Sequence, residues 1–223
     1  FLSGHGNAMG GAIVDSGTFD WAQNDKYPSL AQPEEAYHGL NFYESFGDLA
    51  YTTYGHAVGL RDLGPTMAPM NAYLTIMGIE TLALRMEKHV ANAEVVANYL
   101  HNHAKVSWVS YAGLEESNYF HLAKKYLPKG AGSVFTFGIK GGYDAGVKFV
   151  EKCQLLSHLA NIGDTRSLVL HPASTTHRQL TETQRISAGA GDDVIRLSIG
   201  LETVEDIVAD LELSLIHISE PTR

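Results

Sequence analysis

The stretch Asn161-Ile162-Gly163-Asp164-Thr165-Arg166-Ser167-Leu168-Val169-Leu170-His171-Pro172-Ala173, followed by Val194-Ile195-Arg196-Leu197-Ser198-Ile199-Gly200-Leu201-Glu202, decides how this chain is read. Residues 194–199 are apolar except at Arg196 and Ser198. With the two-residue repeat of a strand, Ile195, Leu197 and Ile199 share one face, and Arg196 and Ser198 share the other. A guanidinium in such a place needs a partner, and its planar fork matches a carboxylate bidentately. That partner is either an acid of the chain, such as Asp164 or Glu202, or a small carboxylate ligand. The pattern alone leaves both open. Ser167 opens a predicted strand over 167–170 and is either part of such a ligand site or an ordinary strand-start serine, and a rigid turn is the plain reading of His171-Pro172-Ala173.

Outward from this stretch the elements follow from periodicity. Strands are predicted over 106–111 and 133–139, the second alternating with period two. Helices are predicted over 121–127, from a cap at Asp144 to about residue 160, over 181–188 and over 203–213. In the last of these, Thr203 and Asp206 stand at capping-box spacing. Across 69–103 apolar residues pair at i, i+4 (Met70/Leu74, Met86/Val90, Val96/Leu100), the mark of one long helix. Gly78 inside it costs roughly 1 kcal/mol against alanine, so a kink or a close contact is expected there. Residues 11–15 read as a short buried strand. Residues 16–64 read as a long loop-rich segment dense in Gly, Pro and Tyr, of the kind that serves function or an interface.

The expected fold class is mixed, α/β at the start and α+β from about residue 105. Divided by element, the chain reads as 1–68, a linking helix over 69–104, an α+β domain over 105–213, and a tail. That tail, 214–223, breaks the helical pattern, is read as artefactual and is assigned no function.

Bulk properties exclude several classes. Hydrophobic residues make up 44% and charged residues 18%, as in an ordinary globular protein, and the formal net charge is −9. Lys and Arg number only 16 and are spread thinly, which argues against a nucleic-acid partner. No apolar run reaches the ~18 residues that a bilayer span requires, and residues 1–20 carry no export signal. The one cysteine, Cys153, suits a reducing, cytoplasmic setting.

Other chemistries find little support. Gly4-His5-Gly6 and Gly10 have the spacing of a dinucleotide loop, but no strand precedes them, so a tight turn lining a pocket is the better reading. His89, His101 and His103 read as helix-surface residues, and no metal-ligand spacing appears. There is no nucleophile elbow, and Cys153 reads as a small buried apolar group.

Taken together, Asn161 to Leu168, His171 to His177, Arg196 to Glu202 and the helix signature Gly78-Ile79-Glu80-Thr81-Leu82 with Arg85, His89 and Asn92 resemble the Cys/Met-metabolism family of pyridoxal-phosphate enzymes. Residues 37–64 are similar to the insertion of its sulfhydrylase branch, which acts on O-acetylhomoserine. The resemblance runs from Phe1 to about Leu213. It implies a type I, aspartate-aminotransferase-like fold, with this chain the end of the large domain plus the C-terminal domain.

The implied reaction is γ-replacement on O-acetyl-L-homoserine by sulfide or a thiol, giving homocysteine or methionine and acetate. The implied cofactor is pyridoxal 5'-phosphate, and the implied assembly is a homotetramer with sites at subunit interfaces. Arg196 matches the position that binds the substrate α-carboxylate, and Ser167 a position near it, with Asn161 and Thr176 as further pocket candidates. The family's cofactor lysine is followed by a motif like Phe1-Leu2-Ser3-Gly4-His5-Gly6. It would therefore stand one place before Phe1, with Gly4 and His5 beside the cofactor. Methionine γ-lyase, cystathionine γ-synthase and a non-catalytic oligomerising fragment are the rival readings.

Overall fold

Ile195, Leu197 and Ile199 are fully buried, as the alternation requires. The computed structural model, which describes residues 1–218, sets them in a five-stranded sheet. Its strands are β1 (Val106–Ser110), β2 (Val134–Ile139), β3 (Ser157–His158), β4 (Leu168–Leu170) and β5 (Val194–Ser198), in the order β1-β2-β5-β4-β3. Only the edge pair β3/β4 is parallel. Arg196 sits on the central strand, opposite Thr136 of β2 and Leu170 of β4.

The described residues cluster into two units, Ala8–Tyr73 and Phe1–Asn7 together with the chain from Leu74 on. In the first, the segment read as loop is a succession of short helical turns. These are α1 (Pro28–Ala31), α2 (Phe42–Phe46) and α3 (Ala50–Tyr54), with 3-10 turns at Glu35–Tyr37 and Gly47–Leu49 and a π-helical stretch at Gly55–Asp62. Ring contacts hold them. Trp21 stacks on Tyr51 at 5.2 Å between centroids, Phe19 and Tyr27 pack on Trp21, and buried Phe42 meets Tyr37, Phe46 and Tyr54. Such packing has no sequence period, so periodicity did not reveal these elements. Residues 11–15 form no strand, contrary to expectation, and Ile13 and Val14 are 76% and 94% exposed. An apolar run makes a buried strand only where neighbouring strands satisfy its backbone, and none pairs with it among the described residues.

The helix expected over 69–103 is two, α4 (Pro69–Glu80) and α5 (Leu82–His101). The break lies at Thr81, because the Gly78 carbonyl accepts from Arg85 Nη2 at 2.7 Å and from the Thr81 backbone at 3.3 Å. The close contact expected at Gly78 is present: a Cβ there would lie 2.3 Å from the Ser3 carbonyl oxygen.

Helices α6 (Phe120–Tyr126), α7 (Gly142–Lys152), α8 (Glu182–Ser187) and α9 (Val204–His217) complete the chain. The core under the sheet is formed by Val96 and Leu100 of α5, Phe149 of α7 and Ile207, Leu211 and Leu215 of α9, packed on Phe135, Phe137, Ile195 and Leu197.

Three boundaries differ from the sequence reading. Helix α7 ends at Lys152 rather than near 160, because the buried Asp210 carboxylate accepts from the backbone N–H groups of Gln154, Leu155 and Leu156. Its N-cap is Gly141, and Asp144 lies in its first turn. Thr203 makes no side-chain cap, whereas Thr181 and Gln184 form a full capping box. Helix α9 runs through to His217 with Ser214 and Leu215 fully buried, so the helical pattern continues past Leu213 and Leu215 belongs to the core. Residues 219–223 lie outside the described residues. Among those described, no helix is long and apolar enough to cross a membrane.

Candidate functional site

One face of the sheet is filled by helices α5, α7 and α9. Arg196 points from the central strand to the other face and is partly exposed. Among the described residues no carboxylate lies within salt-bridge distance of it. The one polar contact its guanidinium makes there is a long one, from Nη2 to the Asn161 carbonyl oxygen at 3.5 Å.

The two acids expected as alternatives are occupied elsewhere. Glu202 accepts from Ser167 N at 2.7 Å and from Ser167 Oγ at 2.9 Å, and Asp164 accepts from Arg166 N at 3.1 Å. An arginine on a packed strand with both candidate acids turned away is free to take an anionic ligand.

The loop 161–165 lies against this face. Gly163 N donates to Ser198 Oγ, Arg196's neighbour on the same face, at 2.9 Å. On the other side of the loop stands the stub Phe1–Gly6. A Cβ on Gly163, at φ +74°, would lie 2.5 Å from the Phe1 nitrogen, and Thr165 N donates to the Gly4 carbonyl at 2.8 Å. The loop thus brings the Arg196 strand and the start of the stub to one place.

The remaining candidates divide. Asn161 is exposed, beside Arg196. Ser167 is fully buried, with its hydroxyl bonded to Glu202 and accepting from Gly200 N at 2.8 Å, so it braces the loop rather than presenting a free group. Thr176 is exposed, its hydroxyl on the neighbouring His177 ring. His5 is exposed, its ring hydrogen-bonded to the Ser3 carbonyl. Gly4 is buried at φ +67°, where a Cβ would lie 2.1 Å from Arg85 Nη1.

Sequence reasoning passed over the buried histidines. His89, expected on a helix surface, is fully buried and donates Nδ1–H to the Ile199 carbonyl at 2.6 Å. Burial is the main cause holding its pKa below the ordinary histidine value. His171 is also buried, between the Asp192 carbonyl and Ser174 Oγ, and burial lowers its pKa in the same way. The missed signal for His89 was its place on one helical face with Arg85 and Asn92.

Fold and site together define an α+β domain in which an uncommitted, partly exposed cation stands among buried residues on the second face of the sheet, beside the glycine-rich segment Phe1–Gly6. The chain belongs to the family of Cys/Met-metabolism PLP-dependent enzymes, whose model matches residues 1–216. It is 49% identical over 216 residues to a homocysteine synthase of Schizosaccharomyces pombe, covering 96% of this chain and 50% of that protein. To an O-acetyl-L-homoserine sulfhydrylase of Leptospira meyeri it is 46% identical, covering 98% of this chain and 51% of the relative. The chain therefore spans about half the length of the curated relatives it matches.

Among solved structures it is similar to a Campylobacter jejuni protein assigned as an O-acetylhomoserine (thiol)-lyase. The TM-score is 0.86 at 40% identity, over 97% of this chain and 52% of that one. That crystal structure contains N'-pyridoxyl-lysine-5'-monophosphate.

Proposed function

We propose that the whole protein carrying this chain catalyses γ-replacement on O-acetyl-L-homoserine by sulfide or a thiol, with pyridoxal phosphate as cofactor. The observation that carries the reading is the Arg196 guanidinium, held on a packed strand with no carboxylate partner among the described residues. The residues present fit the cofactor's substrates, since an amino acid brings the carboxylate that this cation lacks. When bound, pyridoxal phosphate supplies an electron sink for charge developing at the substrate Cα.

What this chain contributes is position. Arg196 holds the α-carboxylate, and Asn161 lines the same mouth. Ser167, Glu202 and Gly200 lock the loop that carries Asn161 onto the end of β5. In this reading the lysine that holds the cofactor is joined to Phe1, and the fold is the type I, aspartate-aminotransferase-like one. This chain is then the end of its large domain plus its C-terminal domain. The assembly is a cytoplasmic homotetramer with sites at subunit interfaces, which light scattering on the whole protein would test by mass.

The deciding experiment is Arg196→Ala in the whole protein, assayed with O-acetylhomoserine and sulfide. Removing a charge-assisted bidentate contact is expected to lower kcat/KM by about 100-fold, or about 3 kcal/mol of transition-state stabilisation. A value within about twofold of the parent would take Arg196 out of the carboxylate role.

A further inference from the structure

Helix α5 carries three buried polar side chains that the proposed chemistry leaves unused. Arg85, His89 and Asn92 are spaced i, i+4 and i+7, hence on one face, and are 5%, 0% and 1% exposed. Their hydrogen bonds go almost wholly to backbone carbonyls, and apart from that of Gly78 in α4 those carbonyls belong to the two sides of the site.

At one end of the stripe, Arg85 donates to the Phe1 carbonyl at 2.9 Å, to Leu2 at 3.2 Å and to Gly78 at 2.7 Å, with Nε on Thr81 Oγ1 at 3.3 Å. At the other end, Asn92 Nδ2 donates to the carbonyls of Gly200 at 3.0 Å and Glu202 at 2.9 Å. His89 lies between them, donating to Ile199 while its ring meets Phe1 edge-on at 5.4 Å. Gly4 and Gly78 are the two places where the stub leaves no room for a Cβ against Arg85 and α4.

A cation buried among neutral carbonyls is a costly way to hold a surface stub. It is an effective way to fix one. The guanidinium's donors point in set directions, and here two of them read the first two carbonyls of the stub. His89 and Asn92, on the same rigid helix, read the carbonyls of Ile199, Gly200 and Glu202, just after β5.

We infer that Arg85, His89 and Asn92 form a gauge, a set of positioning residues that fixes the separation between the start of the stub and the Arg196 strand. This rests on the proposed function. There, the stub bears the cofactor lysine and β5 bears the carboxylate-binding cation, so the gauge sets the two ends between which a substrate is held. A misplacement of about 1 Å in such an arrangement costs on the order of 100-fold in rate.

The test uses the whole protein with Arg85→Met, which keeps bulk and removes the donors, and Arg85→Lys, which restores a cation with fewer donors. Asp210→Asn serves as control, because Asp210 braces the chain after α7 and touches neither side of the site. Two readouts go beyond activity. One is hydrogen exchange of the peptide covering Phe1–Asn7 in cofactor-free protein, and the other is the pH midpoint of the bound cofactor's visible absorbance band.

For Arg85→Met, the expected results are exchange of the stub faster by about tenfold or more, kcat down by about tenfold or more with KM within about threefold, and a displaced absorbance midpoint. Arg85→Lys should recover part of each, and Asp210→Asn should leave the stub's exchange and the midpoint in place at a comparable loss of Tm. If Arg85→Met yields no folded protein, Arg85→Lys alone must show the same changes in smaller degree. The gauge is overturned if the Arg85 variants and Asp210→Asn, compared at equal Tm loss, have the same stub exchange and the same midpoint. Should the parent fail to bind pyridoxal phosphate or to use O-acetylhomoserine, the proposed function falls. The exchange comparison would then decide the gauge by itself.

Discussion

Along β2, Phe135, Phe137 and Ile139 turn into the core two residues apart; between Trp21 and Tyr54 the rings that meet follow no repeat at all. The first pattern comes from a pleated backbone whose faces have different solvents. The second comes from rings 5–6 Å apart that pin short helical turns none of which would persist alone. The sheet unit thus stores its stability in a periodic core, and the 8–73 unit stores it in a few aromatic contacts. Each can be broken at a different kind of residue.

The largest expected effect is in the sheet. Phe137→Ala, at a fully buried position against Phe149, should destabilise by about 3–5 kcal/mol. Trp21→Ala in the aromatic cluster should cost less, about 1–3 kcal/mol, because Trp21 is only partly buried. Urea unfolding of the whole protein, followed by near-UV circular dichroism, would check the order. Equal losses would overturn this contrast.

Glycine sharpens the contrast, because the same substitution should change sign. Gly78→Ala places a Cβ 2.3 Å from the Ser3 carbonyl and should destabilise by about 1–3 kcal/mol. Gly59→Ala, in the Gly55–Asp62 stretch with nothing within 4 Å of its Cβ, should stabilise by about 0.5–1 kcal/mol. Thermal melts of the two variants side by side would read this directly.

The smallest effect is one of pH. His89 and His171 of the sheet unit have folded pKa values lowered by burial, whereas an unfolded histidine titrates near about 6.5. Below that value the unfolded chain binds more protons than the folded one, so stability is full above it and falls as the pH drops toward the lowered folded values. Unfolding free energies at pH 7.5 and 5.5 should differ in this direction, and His171→Gln should flatten the difference.

The legibility of the chain follows the same line. Arg196 and the strand around it were readable because alternation forces a lone cation onto the face opposite three aliphatic residues. The close approach at Gly78 was readable from a glycine in a helix interior. His89 was misread because a histidine taken singly gives no sign of its face, which shows only from its spacing to Arg85 and Asn92. Residues 11–15 were misread because an apolar run specifies burial only where neighbours exist. The residues after Leu213 were misread because nothing local marks Leu215 as core.

By itself, then, the sequence determined four of the five strands, β1, β2, β4 and β5, the cation on the central one and the family likeness, since each rests on residue spacing within a single element or motif. Only the tertiary structure decided that Asp164 and Glu202 leave Arg196 uncommitted, that Ser167 is a brace, and that Arg85, His89 and Asn92 join the stub to the end of β5. Apart from Asp164, whose partner Arg166 is two residues away, those facts depend on pairs of residues 33 to 110 positions apart. At that separation no local period can say which hydrogen-bonding groups meet, because the meeting is fixed by how the helices and sheet pack.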